Sequence, residues 1–143
     1  VEALPYGGPC ARRGCDPKKI LRRGAEIVDA ARMFSGKGIE GDQFGINWAD
    51  LMKHKHGFTD PVPKNMEESL RSQGVTTLHG VAAFTDDTHV DIDGKIYEAS
   101  NILIATGARP RELDFPGHEH FIDSTGFLTL PILPTRTAYI RVW

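Results

Sequence analysis

Apolar positions recur at three- and four-residue intervals in the first half of the chain and shift to short β-prone runs in the second. Ile20, Ile27, Val28, Ala31 and Phe34 form a stripe at helical spacing, and Gly36 and Gly38 stop it. Asp16-Pro17 reads as the start of that helix, with a capping carboxylate followed by a proline whose missing N–H costs nothing in a first turn. Pro17 would also disturb any helix running through from Cys10, because it cannot donate back to Arg13, so the cysteines are expected on an irregular turn. Asn47 is placed to cap a second helix through Trp48, Leu51 and Met52. Pro61 and Pro63 should split or kink it before Met66 and Leu70, and Gly74 should end it.

From Val75 onward the predicted elements are strands: Val75 to Leu78, Ala82 to Phe84, His89 to Ile92, Ile96 to Glu98 and Asn101 to Ala105. Asp93-Gly94 is a tight hairpin signal. Ile102-Leu103-Ile104-Ala105 is apolar on both faces, as a central strand covered on both sides would be, and it runs into Thr106-Gly107. Ligands bind at such strand ends in open α/β sheets. After Pro110 a proline- and glycine-rich connector leads to Ala138-Tyr139-Ile140, where another strand is expected.

Composition narrows the classes without choosing among them. The 143 residues suit one domain with a real core, and a formal net charge of -2 gives no general attraction to nucleic acid. No apolar run approaches the roughly 20 residues that span a bilayer, and Val-Glu-Ala-Leu-Pro is not a signal peptide, so a cytoplasmic protein is expected.

The only two cysteines, Cys10 and Cys15, lie five positions apart in Gly7-Gly8-Pro9-Cys10-Ala11-Arg12-Arg13-Gly14-Cys15-Asp16-Pro17-Lys18-Lys19. A disulfide closing so small a ring restricts the unfolded chain little, and small rings are readily reduced, which favours a redox pair over a structural bridge. Four cations, Arg12, Arg13, Lys18 and Lys19, are expected to hold the reduced pair partly as thiolate. Lys18 and Lys19 on a first helical turn would oppose the helix dipole and need compensation. His54-Lys55-His56 and His118-Glu119-His120, with the cysteines, supply a second function class, a zinc site; the spacings match no common zinc pattern.

The cysteine segment resembles the active-site stretch of the flavin-dependent pyridine nucleotide-disulfide oxidoreductases, where Gly-Gly-Thr-Cys leads to Gly-Cys-x-Pro-Lys-Lys. The likeness continues in order through Gly80-Val81-Ala82-Ala83-Phe84, Ile102 to Pro110 and Phe115-Pro116-Gly117. It departs at Pro9, where the family has Thr, removing a hydroxyl and an N–H near the cofactor. The resemblance implies an incomplete α/β FAD-binding domain, Rossmann-like, with parallel core strands and a small antiparallel β excursion, lacking its first βα unit. Residues 1–134 would belong to that domain and 135–143 would begin an NAD(P)-binding domain.

The resemblance also implies roles. Cys10 would be the interchange thiol, Cys15 the charge-transfer thiol, and Lys18 would lie by the flavin's reactive nitrogen. Glu2 would bind the adenosine ribose of FAD, Gly7 and Gly8 would admit its phosphates, and Ala82, Thr106 and Gly107 would lie near the cofactor. The intact enzyme would pass electrons from NAD(P)H through FAD to the Cys10–Cys15 disulfide and on to a small disulfide or other redox acceptor, working as a homodimer. This stretch by itself is expected to bind FAD weakly or not at all and to be inactive. The competing expectations are an inert remnant of such an enzyme and the Cys/His metal-binding domain.

Overall fold

The structure, a computed structural model, describes residues 1–40 and 44–140. Its elements in chain order are α1 (Gly8–Arg13), α2 (Cys15–Met33), α3 (Trp48–Thr59), α4 (Val62–Ser72), β1 (Ala82–Phe84), β2 (His89–Ile92), β3 (Lys95–Glu98), a 3-10 turn His118–His120 and the short α5 (Ser124–Phe127). They fall into two compact units. One comprises Val1–Gly8 and Pro61–Phe121, the other Pro9–Asp60 and Ile122–Trp143. No helix among the described residues is long and apolar enough to cross a membrane.

In the second unit α2 and α3 pack together, and Leu21, Met52 and Leu128 form a buried cluster flanked by Trp48, Leu51 and Phe127. Gly24 permits the close helix contact: a Cβ there would lie 3.1 Å from a methyl of Leu51. The buried face of α2 is Pro17, Leu21 and Val28, at the three- and four-residue steps of one helix face. The stripe read from the sequence was thus rotated. Val28 is buried as expected, but Ile27 and Phe34 are each 53% exposed and Leu21 takes the core position.

α5 is held to α3 by polar as well as apolar contacts. The buried Lys55 donates through Nζ to the Leu128 carbonyl at 2.7 Å, and the Trp48 indole N–H donates to the Leu130 carbonyl at 2.9 Å. The Leu128 acceptor is the C-cap of α5, where carbonyls lack partners inside the helix, and Leu130 follows two residues later.

The predicted helix boundaries at Asn47, Pro61 and Gly74 are those observed. The Asn47 side chain accepts from the Asp50 N–H, Pro61 separates α3 from α4, and Gly74 adopts φ +82° after the last turn. α2 begins differently. Its N-cap is Gly14, no side chain caps it, and Asp16 lies inside the first turn rather than capping it. Cys10 sits on the short helix α1, not on an irregular turn, and the break that Pro17 requires falls at Gly14.

In the first unit the three strands form an antiparallel sheet of order β1-β2-β3, with Ala82 opposite Ile92 and His89 opposite Glu98. Asp93 (φ +51°) and Gly94 (φ +86°) both take the left-handed conformation that a tight two-residue hairpin demands. This is the antiparallel excursion expected from the sequence.

The parallel core strands are not formed. Among the described residues parallel pairing is limited to two isolated bridges, Glu2 with His79 and Ser35 with Ile39. The predicted strand Val75 to Leu78 contributes one carbonyl, that of Leu78, to the Glu2 N–H. The Ile102–Ala105 run forms no strand and joins no ladder, leaving Leu103 88% and Ile104 68% exposed. A parallel strand cannot close its hydrogen bonds within itself; it needs neighbours on its edges, and none of the described segments supplies them. Ala138-Tyr139-Ile140 is likewise unpaired, and residues 141–143 lie outside the described set.

Candidate functional site

The two cysteines are brought together by the break between two helices. Cys10 is on α1, Cys15 opens α2, and Gly14 between them allows the chain to double back tightly. A Cβ at Gly14 would sit 2.9 Å from the Pro9 carbonyl oxygen and 3.3 Å from the Cys10 Cα. Only a residue without a side chain fits that approach without displacing backbone. The Lys18 N–H then donates to the Gly14 carbonyl at 3.1 Å, starting the regular bonding of α2.

Both cysteines are exposed free thiols. The Cys15 side chain, foremost as a hydrogen-bonding group, holds the Cys10 thiol above its ordinary pKa; desolvation and the charges of Cys15 and Asp16 act in the same direction, and the Cys15 backbone opposes them. For Cys10 this is the opposite of the direction expected from the four cations, and none of them is among the groups that set its value. With α2 starting at Cys15, Lys18 and Lys19 are its fourth and fifth residues, and Asp16 supplies the first-turn negative charge that suits the dipole. Lys18 is exposed. Lys19 lines an open, mainly apolar groove of about 350 Å³ with Ile20, Arg23, Gly24, Ile27, Leu51 and His54.

The residues expected around the cofactor lie mostly in the other unit. Glu2 bridges to the Leu78–Gly80 backbone, donating its N–H to the Leu78 carbonyl and accepting from the Gly80 N–H, while its Oε1 accepts from the Leu4 N–H at 3.1 Å. Tyr6, which the sequence did not single out, anchors the same segment. It is buried, its hydroxyl donates to the Leu78 carbonyl, and its ring meets His79 edge-on at 4.8 Å. Gly7 (φ +113°) and Gly8 (φ +62°) take conformations open chiefly to glycine, and a Cβ at Gly8 would meet nothing within 4 Å. Ala82 is on β1, and Thr106 and Gly107 follow the unpaired Ile102–Ala105 run, all three exposed. Residues 106 and 107 are therefore not held by a strand end.

Arg13 was noted in the sequence only for its charge. Its Nε is a buried donor with no hydrogen-bond partner, and it lies between the two cysteines in the chain. The histidine pairs do not converge: among the described residues no three His, Cys, Asp or Glu side chains gather as metal ligands would. His56 instead pairs with Asp60 at 3.0 Å, and His118 bonds the Phe115 carbonyl.

Residues 1–140 match the profile of the family described as pyridine nucleotide-disulphide oxidoreductase. The chain belongs to that family. It is 34% identical over 146 residues to dihydrolipoyl dehydrogenase of Chlamydia pneumoniae, covering 98% of this chain and 31% of that protein. It is 33% identical over 135 residues to the chloroplastic/mitochondrial glutathione reductase of Pisum sativum, covering 94% of this chain and 24% of that protein. A third relative, dihydrolipoyl dehydrogenase of Mycoplasma genitalium, is 32% identical over 95% of this chain and 31% of its own length. The chain thus spans less than a third of the length of these curated relatives. Enzymes of the family are FAD-dependent and use NAD(P)H, and the helices and small antiparallel sheet described above are those of a partial α/β, Rossmann-like FAD-binding domain.

The chemistry of the residues present suits FAD. A carboxylate at a strand bridge can accept a ribose diol, and glycines at positive φ expose backbone N–H groups to a phosphate.

Proposed function

We propose that this chain forms part of an FAD-dependent NAD(P)H:disulfide oxidoreductase, with residues 1–134 in the FAD-binding domain and 135–143 opening the NAD(P)-binding domain. The observation that carries the reading is the tight reversal at Gly14, where a Cβ would lie 3.3 Å from the Cys10 Cα, so that Cys10 and the Cys15 that opens α2 are set close to each other. Two thiols held near each other by so short a turn can close into one disulfide on losing two electrons and two protons.

In the reductive half of the cycle the disulfide takes up two electrons and two protons to give Cys10-SH and Cys15-SH. NAD(P)H is the source of the electrons, and FAD, when bound, supplies the two-electron relay between it and the sulfurs. In the oxidative half Cys10 loses its proton and attacks one sulfur of an acceptor disulfide. A mixed disulfide forms and the first acceptor thiolate departs. Cys15 then loses its proton, attacks the Cys10 sulfur, expels the second thiolate and restores the bridge, and the two released thiolates take up the two protons. Because Cys10 is held protonated at neutral pH, a base must take its proton before attack.

Glu2, Gly7, Gly8, Ala82, Thr106 and Gly107 would hold FAD, and Lys18 would stabilise negative charge on it and on the neighbouring sulfur. The acceptor is a small disulfide or another two-electron acceptor, and the complete enzyme works as a homodimer.

Titration of the purified chain with glutathione disulfide tests the dithiol reading. We expect loss of two hydrogens by mass, protection of both cysteines from alkylation, and no change in oligomeric state. Separate glutathionylation of the two thiols, or crosslinking between chains only, would overturn it. The exposed Ile102–Ile104 run favours a second reading, an inert product that keeps the dithiol without the cofactor. A flavin absorption band that stays with the protein through gel filtration rejects that reading, and a colourless protein that gains none from added FAD supports it.

A further inference from the structure

Resting on the dithiol reading above, we infer that Pro9 is a positioning residue for the Cys10–Cys15 pair, and that its ring sets how readily the disulfide closes. Three observations converge on it. α1 is only six residues long, far below the length at which a helix is stable unaided, so its conformation must be fixed from outside the helix. Pro9 stands at its start, where a ring that locks φ near the helical value preorganises the first turn and the missing N–H has no partner to lose. The residue before a proline is driven out of the helical region, and Gly8, at φ +62°, is the residue type that can turn the chain there freely.

A fourth observation links this turn to the second sulfur. The Pro9 carbonyl and the Cys10 backbone are the wall against which Gly14 rests, with no room for a Cβ between them, and Gly14 is the N-cap of the helix that Cys15 opens. Pro9 thus governs both ends of the ring. It fixes the backbone that carries Cys10, and it presents the surface that fixes the approach of Cys15. Freeing the φ of residue 9 leaves each thiol intact but spreads the Cys10 backbone over more conformations in the reduced state, lowering the effective concentration of one sulfur at the other.

The balanced reaction that reads this out is Cys10-SH plus Cys15-SH plus glutathione disulfide giving the Cys10–Cys15 disulfide plus two glutathione thiols. Its equilibrium constant is measured in glutathione buffers by acid quench, alkylation and mass. Relative to the unsubstituted chain, Pro9→Ala should lower that constant roughly two- to fivefold, the effect expected from unlocking one proline. Pro9→Gly should lower it further, since glycine is freer still. Both replacements restore the backbone N–H that proline lacks and so share that change, and the further step from Ala to Gly isolates backbone stiffness. Far-UV circular dichroism of α2 and α3 accompanies each measurement, and if Pro9→Gly does not fold, Pro9→Ala alone decides. An equilibrium constant unchanged in Pro9→Ala while the parent chain closes its disulfide normally would overturn the inference about Pro9 and leave the dithiol reading standing. Failure of the parent chain itself to form the intramolecular disulfide would overturn both.

Discussion

The α2–α3–α5 packing and the Ile102–Ala105 run are built from equally apolar sequence, yet one is a core and the other lies open. Leu21, Met52 and Leu128 are each no more than 8% exposed, whereas Leu103 is 88% exposed. The difference lies in where backbone hydrogen bonds can be closed. A helix closes them within itself and needs a neighbour for one face only, so two helices and a short third suffice. A strand of a parallel sheet closes them on both edges, so it is committed only when its neighbours are there. The dithiol belongs to the first kind, a local device set by six consecutive residues. The proposed cofactor residues Thr106 and Gly107 belong to the second, because they follow the Ile102–Ala105 run, which joins no ladder.

Paired substitutions give the largest test of that contrast. Met52→Ala should cost about 2–5 kcal/mol in chemical denaturation, the range for truncating a buried Met, while Leu103→Ala should change stability by less than about 0.5 kcal/mol. Equal losses at the two positions would show that the Ile102–Ala105 run is packed in solution. Next in size, Lys55→Met keeps the apolar stem but strands the Leu128 carbonyl, and should cost about 1–3 kcal/mol by the same measurement. Burial lowers the Lys55 pKa, so the folded state binds that proton more weakly than the unfolded chain does. The parent should therefore gain stability relative to Lys55→Met as pH rises through the depressed value.

Within the dithiol, Cys15→Ala removes the largest cause of the raised Cys10 value. The midpoint of the pH profile for Cys10 alkylation by iodoacetamide should move to lower pH, and a midpoint that stays or rises contradicts the influence of Cys15 on Cys10.

The smallest effect is expected in the turn between β1 and β2. Backbone hydrogen bonds from Thr88, followed by the contact with His89, lower Asp86 from 3.8 to about 2, and the bond to Asp86 raises His89 above 6.5. The Asp86 contribution is complete above pH 3.8 and vanishes as pH falls through about 2. That of His89 is complete below pH 6.5 and vanishes as pH rises through the raised value. Protection of the Thr88 and His89 amides relative to their intrinsic exchange rates should be greatest between those limits, and Asp86→Asn should abolish that pH dependence of protection.

What could be read in the sequence follows the same division. Asn47, Pro61, Gly74 and Asp93-Gly94 act through the conformation of one or two residues, and each does in the structure what its chemistry dictates. The Cys10–Cys15 spacing was legible for the same reason. The cap at Gly14 was not, because Asp16 is a better capping residue by type, and only the crowding against Pro9 and Cys10 reveals why a glycine stands before α2. The direction of the Cys10 shift was missed because charge in the sequence says nothing of which neighbour the sulfur touches. Leu21 was missed because Ile27 and Phe34 offered an equally regular stripe, and the choice between faces was made by α3. Tyr6 carried no periodic signal at all, and its role appears only through the Leu78 carbonyl 72 positions away.

The bonds from Lys55 and Trp48 to the Leu128 and Leu130 carbonyls reach a segment whose covalent link to the rest of the chain runs through the open stretch at Arg109 and Arg111. A protease cutting there would leave two polypeptides, with the shorter one still moored at Leu128 and Leu130 by those two donors and by Phe127 against Trp48. Such nicked material would travel as one species on a sizing column and come apart only under denaturing electrophoresis.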